Sequence, residues 1–391
     1  MNYINNPYTP GAGTPPPELA GREQILNEAR GLIERIRKGR SARSLMMLGL
    51  RGVGKTVLLN RIDQIAEIAG CQTAIFEADH SRTLAEILTP QLHRLLLKLD
   101  RRKHAATEVR KAFGHLRSFA SAFKVRYGEV EVGLSDSSAT GDLTIDLSDL
   151  FVSIGQAAKA RKSVAVIMID EVQYIKKDDL GALIMALHKI SQRQLPLLFF
   201  GAGLPQLAKL AGEAKSYAER LFNYPEIDRL DNTSAKAALV EPARQESVAY
   251  DNAALDIILD ETDGYPFFLQ VWGSYAWEVA PLSPITSEHA KQATRLAIKS
   301  LDSGFFKIRF ERLTDRQQEY IRAMAELGPD PVTSTAVAKM LGLTIKQAAP
   351  IRDEIIKKGV AYSPRRGLIA FTVPKFDEFL KRAIPQFDSK Q

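Results

Sequence analysis

A glycine-rich loop constrains what this chain can fold into more than any other segment. It reads Gly49-Leu50-Arg51-Gly52-Val53-Gly54-Lys55-Thr56 and has the form G-x-x-x-x-G-K-T. The apolar run 45–48 before it predicts a buried strand, and Val57 and the residues after it predict a helix. Glycines let the backbone curl closely around a phosphate, with successive N–H groups at the positive end of the helix. We therefore predict a nucleotide site formed by residues 49–57.

Two further side chains of the loop and one acidic pair predict the chemistry at this site. Lys55 can reach the β- and γ-phosphates of ATP, and the hydroxyl of Thr56 can bind Mg²⁺. Asp170 and Glu171 end an apolar run, 164–169, of the kind that forms a strand buried on both faces. Asp170 is predicted to bind Mg²⁺, and Glu171 to polarise the attacking water. Alternatively, the loop is a turn without a ligand and the acids cap a strand end.

Strand-like and helix-like segments alternate between residues 45 and 205, which predicts an α/β domain with a doubly wound parallel sheet. Within it, residues 127–134 and 143–147 alternate with period two, so we expect an inserted hairpin over 127–148. From residue 234 onward the pattern becomes helical. The predicted organisation is an extended arm over 1–20, a P-loop domain over 21–232, a helical domain over 233–306 and a last domain over 307–391.

The last domain has the order helix, helix, helix and hairpin, which is typical of a winged helix-turn-helix. Thr314 and Thr344 are predicted helix caps, and Pro350 is expected to kink the third helix or delay its start. Such a domain binds duplex DNA or, alternatively, packs against protein. The candidate DNA contacts are the basic and amide side chains Lys346, Gln347, Arg352, Lys357, Arg365 and Arg366.

Composition narrows the class of protein. The 391 residues carry a formal net charge of +7, which favours polyanionic partners only weakly. Cys71 is the single cysteine, which excludes internal disulfides and cysteine-based metal clusters. No apolar run is long enough to cross a membrane, and the first residues do not resemble a signal peptide. We expect a cytoplasmic protein without a membrane partner.

Taken together, these motifs make the chain resemble AAA+ and STAND-type P-loop ATPases, close to archaeal-type and origin-recognition ATPases. The matching segments are Gly21-Arg22-Glu23, the P-loop, Asp170-Glu171, the strand ending at Gly203, Tyr217 to Phe222, Gly264-Tyr265-Pro266 and the winged helix. The resemblance implies that residues 233–306 are a lid over ATP and Mg²⁺. It also implies adenine near Arg22, an arginine finger at Arg220 with Arg229 as a weaker candidate, and Pro266 against the nucleotide.

Two departures from the family pattern predict slow hydrolysis. The polar sensor expected at the end of the fourth strand is replaced by Gly201, Ala202 and Gly203, with Gln206 as the nearest polar side chain. The lid arginine is replaced by the Gly-Tyr-Pro turn. We therefore expect an ATP-controlled switch that binds DNA and self-associates. The alternatives are a signalling or defence regulator whose winged helix contacts protein or inhibits the chain, and a loader for a replication or mobile-element protein.

Overall fold

The computed structural model describes residues 1–11, 13–100, 106–125 and 139–387. Two compact units result from the contacts within the chain. The sheet unit comprises Arg22–Gly49 and Lys55–Ile227, and the helical unit comprises Met1–Gly21, Leu50–Gly54 and Asp228–Gln391. The predicted domain boundaries are finer than this division, so they stay predictions.

The sheet unit is built on five parallel strands in the order β2-β3-β4-β1-β5. Every residue of the three central strands is buried, as expected for strands covered by helices on both faces. The doubly wound α/β fold is therefore confirmed. The strands are β1 (Ser44–Leu48), β2 (Gln72–Glu77), β3 (Ala165–Asp170), β4 (Leu197–Gly203) and β5 (Phe222–Asn223).

Eight helices of the described residues accompany this sheet. The helix predicted from the period of residues 23–38 is present and buries its apolar side chains, among them Ile33 and Ile36. The helices are α1 (Glu23–Arg37), α2 (Lys55–Ile68), α3 (Leu84–Asp100), α4 (Ala106–Ala122), α5 (Leu143–Ala160), α6 (Lys177–Gln192), α7 (Leu207–Ala214) and α8 (Ala218–Leu221).

The first part of the helical unit after residue 228 contains five helices and a π-helical turn. Trp272 and Phe268, both less than 2% exposed, lie at the centre of this packing. The elements are α9 (Asn232–Gln245), α10 (Asn252–Thr262), α11 (Pro266–Val279), α12 (Ser287–Ser300), the π-turn Leu301–Phe306 and α13 (Lys307–Glu311).

The C-terminal part of the helical unit has the predicted winged helix-turn-helix plan. Thr314 and Thr344 each form a capping box with a glutamine three residues later, as their positions before the two helices predict. Pro350 is accommodated inside the third helix. The elements are α14 (Asp315–Leu327), β6 (Val332–Thr333), α15 (Ser334–Met340), α16 (Ile345–Lys357), β7 (Ala361–Tyr362), β8 (Leu368–Phe371) and α17 (Phe376–Ala383). The three strands pair antiparallel in the order β6-β8-β7.

The predicted hairpin over 127–148 is wrong in its second strand, and its first strand, 127–134, lies outside the described residues. Residues 143–147 form the first turns of α5 instead. Asp142 is the cause, because its carboxylate accepts hydrogen bonds from Thr144 N at 2.8 Å and Ile145 N at 3.2 Å and so caps the helix.

The N-terminal arm is anchored by one tyrosine. Tyr8 is 4% exposed, and its hydroxyl donates to the carbonyl oxygen of Leu239 at 2.5 Å and shares a hydrogen bond with Tyr250 at 2.7 Å. Its ring packs directly on Gly273 in α11, where a Cβ atom would clash with it. The arm thus has no core of its own but completes the core of the helical unit.

Among the helices of the described residues, none combines the length and the apolar composition that a membrane span requires.

Tyr8→Ala should lower the free energy of unfolding of the helical unit by about 3 to 5 kcal/mol, because it empties a buried aromatic site. Urea unfolding followed by tryptophan fluorescence measures this directly, since both tryptophans, Trp272 and Trp277, lie in α11. Tyr3→Ala is the control, because Tyr3 is 75% exposed. Equal effects of the two substitutions would contradict the anchoring role of Tyr8.

Candidate functional site

Parallel strands bring the predicted catalytic residues to one edge of the sheet. Asp170 is the last residue of β3, and Thr56 lies in the first turn of α2, which follows β1 through the P-loop. The Thr56 hydroxyl donates to Asp170 Oδ2 at 2.5 Å. A hydroxyl and a carboxylate are thus paired at the carboxyl edge, and both are oxygen ligands of the kind that Mg²⁺ prefers.

Lys55 lies at the same edge and is held close to the backbone of the P-loop. It is 5% exposed, and its ammonium group donates to the carbonyl oxygen of Gly49 at 2.9 Å. Burial makes a charged ammonium costly unless opposite charge or hydrogen bonds offset the loss of water. A phosphate at the P-loop would supply such charge.

The acidic pair after β3 has an unusual electrostatic and backbone setting. Burial is the main cause that raises the pKa of Asp170, and the hydrogen bond from Thr56 partly offsets it. Glu171 adopts a left-handed backbone conformation with φ of 52°, which is uncommon for a residue other than glycine. Its backbone N–H donates to Asp170 Oδ1 at 2.8 Å. The turn therefore directs two consecutive carboxylates differently, one paired with Thr56 and one not.

Gln173 is a site residue that the sequence reasoning missed. It lies in a 3₁₀ turn, Val172–Tyr174, and its side-chain amide donates to the carboxylate of Glu171. Its side-chain oxygen accepts from Leu204 N at 3.0 Å, just after β4. A Cβ atom on Gly203 would clash with this oxygen, which explains the glycine at a place where a polar sensor was expected. Gln173 thus connects Glu171 with the end of β4.

Gln206 is the polar side chain that the sequence suggested as a substitute for the sensor, and that role stays a prediction. Its side-chain oxygen is buried and makes no hydrogen bond within the described residues. The signal that could have identified Gln173 is its spacing, two residues after Glu171, the predicted catalytic glutamate.

The middle of the P-loop, Leu50–Gly54, belongs to the helical unit by its contacts. Phe267 N donates to the carbonyl oxygen of Gly52 at 3.2 Å, and the ring of Tyr265 packs on the same glycine. Pro266 occupies the first position of α11 between these two residues. The Gly-Tyr-Pro turn therefore lies against the middle of the loop, and the nucleotide contact of Pro266 stays a prediction.

The backbone conformation and the close packing of the turn explain why a glycine lies at position 264. Gly264 has φ of 65°, and a Cβ atom there would clash with the carbonyl oxygen of Leu230. Leu230 N in return donates to the carbonyl oxygen of Gly264 at 2.8 Å. The turn is thereby fixed to the segment that precedes α9.

The same part of the P-loop also contacts the winged helix. Arg51 N donates to the carbonyl oxygen of Thr372, the residue after β8, at 3.2 Å. Thr372 is 1% exposed, and its hydroxyl donates to the carbonyl oxygen of Gly359 at 2.8 Å. One residue therefore joins the P-loop to the end of α16.

The three arginines assigned through the family resemblance each have a different local setting. Arg220 lies in the last turn of α8, just before β5, whose first residue pairs with Ser44 at the start of β1. It therefore lies at the amino edge of the sheet, whereas Lys55 and Asp170 lie at the carboxyl edge. The arginine finger stays a prediction, and from this edge Arg220 would act on the nucleotide of a second subunit. Arg229 is ion-paired with Asp263. Arg22 caps α1 through its backbone, so its contact with adenine stays a prediction.

The six side chains predicted to contact DNA differ in whether they already have a hydrogen-bond or ion-pair partner in the structure. Gln347 completes the capping box of Thr344, Arg352 pairs with Asp353 at 3.2 Å, and Lys357 pairs with Glu354 at 2.6 Å. The side chains of Lys346, Arg365 and Arg366 are exposed and form no ion pair within the described residues. The structure therefore favours these three over the other candidates.

Comparison with protein families agrees with the geometry of the site. Residues 18–200 match the family model described as AAA ATPase domain. Residues 18–200 therefore form an AAA ATPase domain. Residues 303–380, which include the winged helix, match a family described as a domain of unknown function. Among curated proteins, none matches this ATPase.

Solved structures share the fold of this ATPase at low sequence identity. The Walker-type ATPase of Pyrococcus abyssi is 16% identical, with a TM-score of 0.56, over 94% of this chain and 97% of that one. The Orc2 protein of Aeropyrum pernix, solved as ADPNP and ADP complexes, is 15% identical, with a TM-score of 0.53, over 96% and 97% of the two chains. At these identities the likeness concerns the fold.

Gln173→Leu should lower the turnover number for ATP about tenfold while leaving the Kd for ATP unchanged, because Gln173 orients Glu171 without a predicted phosphate contact. A positioned general base contributes roughly 10²- to 10⁴-fold, so losing its orientation removes part of this factor. Steady-state turnover and calorimetric binding measure the two quantities, with Glu171→Gln as the lower limit of activity. Gln206→Leu should change neither, and a loss of turnover equal to that of Gln173→Leu would contradict the assignment.

Proposed function

We propose that this ATPase is a nucleotide-controlled switch that binds duplex DNA through its winged helix. The observation that carries the proposal is the hydrogen bond from Arg51 N to Thr372 O. Backbone N–H groups of a P-loop are the groups that bind phosphate, so a nucleotide competes for a group that the winged helix now uses. The nucleotide state and the winged helix are therefore energetically coupled.

Nucleotide chemistry at the carboxyl edge would use residues of defined roles. Thr56 and Asp170 would hold Mg²⁺, and Lys55 would bind the β- and γ-phosphates. Within the described residues, no cluster of three His, Cys, Asp or Glu side chains is placed to hold a metal, so nucleotide and water oxygens would complete the ligands. The ion would supply positive charge against the phosphates. Glu171 would accept a proton from the attacking water.

A single residue, Thr372, would connect the P-loop to the helix that is proposed to bind DNA. Thr372 accepts a hydrogen bond from the P-loop with its carbonyl oxygen and donates to Gly359 with its hydroxyl, and its N–H donates to Val360 O at 3.1 Å. Gly359 and Val360 follow Lys358, the C-cap of α16, and α16 is the helix that would enter the major groove. A shift of Thr372 on ATP binding would therefore move the end of the recognition helix.

Three exposed cations are the best candidates for the DNA contact. Lys346 lies in the first turn of α16, where its ammonium can reach a base edge or a phosphate. Arg365 and Arg366 lie between β7 and β8, at the tip of the wing, and would contact phosphates or the minor groove. Gln347, Arg352 and Lys357 would have to give up their present partners first.

The same hydrogen bond also favours a second candidate, a signalling regulator in which the winged helix inhibits the chain. In that case Thr372 occupies the P-loop until ATP or a protein partner displaces it, and DNA takes no part. Binding of DNA distinguishes the two functions, because the second candidate predicts none in any nucleotide state.

ATP should change the affinity for a 30-base-pair duplex, and Arg365→Ala/Arg366→Ala should weaken binding about tenfold or more. Two lost phosphate contacts should also lower the slope of log K against log salt by about 1.8. Fluorescence anisotropy over a series of KCl concentrations measures both quantities, with ATP, with ADP and without nucleotide.

Two variants control this experiment. Lys291→Ala/Lys299→Ala removes the same charge from the exposed face of α12 and should bind as the unmodified chain does. Lys55→Ala should bind DNA with an affinity that no longer responds to ATP. Absence of salt-dependent DNA binding in every nucleotide state would exclude the proposed function.

A further inference from the structure

A basic cleft lies at the amino edge of the parallel sheet, the edge away from Lys55 and Asp170. It has a volume of about 720 Å³ and lies between the ends of α1, α5 and α6 and the starts of β1, β3 and β4. Six cationic side chains line it: Arg37, Lys38, Arg40, Lys159, Lys162 and Arg193.

A second, smaller cleft continues the first. It has a volume of about 350 Å³ and shares Ser41 and Ser191 with the larger one. Three more arginines line it: Arg35, Arg43 and Arg220. We call the nine cationic residues of the two clefts the amino-edge belt.

The charge of the amino-edge belt is not balanced by neighbouring acids. Glu34 is the acidic residue among the described residues that line the two clefts, and it is paired with Arg37 at 2.6 Å. Each helix C-terminus contributes about −0.5 charge, so the three ends of α1, α5 and α6 offset only about 1.5 of the positive charges. The stabilisation of helix ends therefore does not explain so many cations.

Two positions at the larger cleft carry long polar side chains although their backbone conformation favours glycine. Lys162 and Gln194 follow α5 and α6 in the left-handed conformation, with φ of 49° and 50°. Glycine is the usual residue at this place after a helix, as Gly39 is after α1. The two positions keep side chains that reach into the cleft instead.

Four members of the amino-edge belt precede four neighbouring strands. Lys162, Arg193, Arg43 and Arg220 come just before β3, β4, β1 and β5, which is the order of these strands in the sheet. With a strand spacing of about 4.8 Å, the row extends over about 14 Å. One strand of duplex DNA rises about 3.4 Å along the helix axis for each phosphate, so the length of the row equals the rise of about four base pairs.

We propose that the amino-edge belt binds the phosphate backbone of duplex DNA, independently of base sequence. Neither cleft has an aromatic lining residue among the described residues. Binding sites for single strands stack bases on aromatic side chains, so this surface fits a duplex backbone better than an unpaired strand. The amino-edge belt belongs to the sheet unit and is a site separate from the winged helix.

Arg40→Gln/Lys162→Gln/Arg193→Gln tests this proposal in the full chain. Affinity for a 30-base-pair duplex should fall at least about tenfold, and the slope of log K against log salt should fall by about 2 to 3. Fluorescence anisotropy measures both, for duplexes of two unrelated sequences, which should behave alike. Arg220 stays unchanged in this variant because of its predicted role toward the nucleotide of a second subunit.

Three controls make the result decisive. Lys291→Gln/Arg295→Gln/Lys299→Gln removes equal charge from α12 and should bind the duplex normally. Basal ATP hydrolysis and the circular dichroism spectrum of the belt variant should equal those of the unmodified chain. A single-stranded DNA and an RNA duplex of the same length should bind more weakly than duplex DNA.

Unchanged affinity of the belt variant for duplex DNA would overturn the proposal. So would an equal loss in the α12 variant, tighter binding of RNA or single-stranded DNA, or a loss of self-association, measured as molecular mass, with DNA binding intact. The wing variant Arg365→Ala/Arg366→Ala separates this proposal from the proposed function. If that variant binds normally while the belt variant does not, DNA binding through the winged helix fails and the belt site stands.

Discussion

The common direction of five strands is the constraint on which the chemistry of the sheet unit depends. All carboxyl ends meet at one edge, so Asp170 after β3 comes within 2.5 Å of Thr56 after β1, although 113 residues separate them in the sequence. The helix that follows the P-loop directs its N–H groups to the same edge. The amino ends necessarily meet at the other edge, and there the strands are preceded by cations. Strand direction thus separates the edge that holds Lys55, Thr56 and Asp170 from an edge lined by cations.

The P-loop adds a second constraint, because its middle residues contact helical elements beyond the sheet. Gly52 accepts a hydrogen bond from Phe267, and Arg51 donates one to Thr372. Both contacts involve backbone groups of the segment that cradles phosphate in P-loop proteins. In the proposed function, a nucleotide that needs these groups changes the contacts, so the Gly-Tyr-Pro turn and the winged helix would have different free energies with and without nucleotide.

The sequence was sufficient to predict the features that depend on patterns of neighbouring residues. The glycine loop, the apolar strands and the threonine caps at Thr314 and Thr344 all lie where the residues predict them. Features that depend on contacts between residues distant in the sequence could not be predicted from it. The period of residues 143–147 suited a strand until Asp142 was seen to cap a helix, and the role of Gln173 depends on Leu204 N, which only the fold brings near. Arg220 matched a motif, but strand order placed it at the other edge.

Hydrogen–deuterium exchange of residues 359–373, measured with and without a non-hydrolysable ATP analogue, tests the coupling between P-loop and winged helix most directly. The hydrogen bond from Arg51 N to Thr372 O predicts faster exchange in this segment once the analogue binds, and no change in Lys55→Ala. The same exchange in both states of the unmodified chain, with the analogue shown to be bound, would contradict the coupling and with it a switch that acts through Thr372.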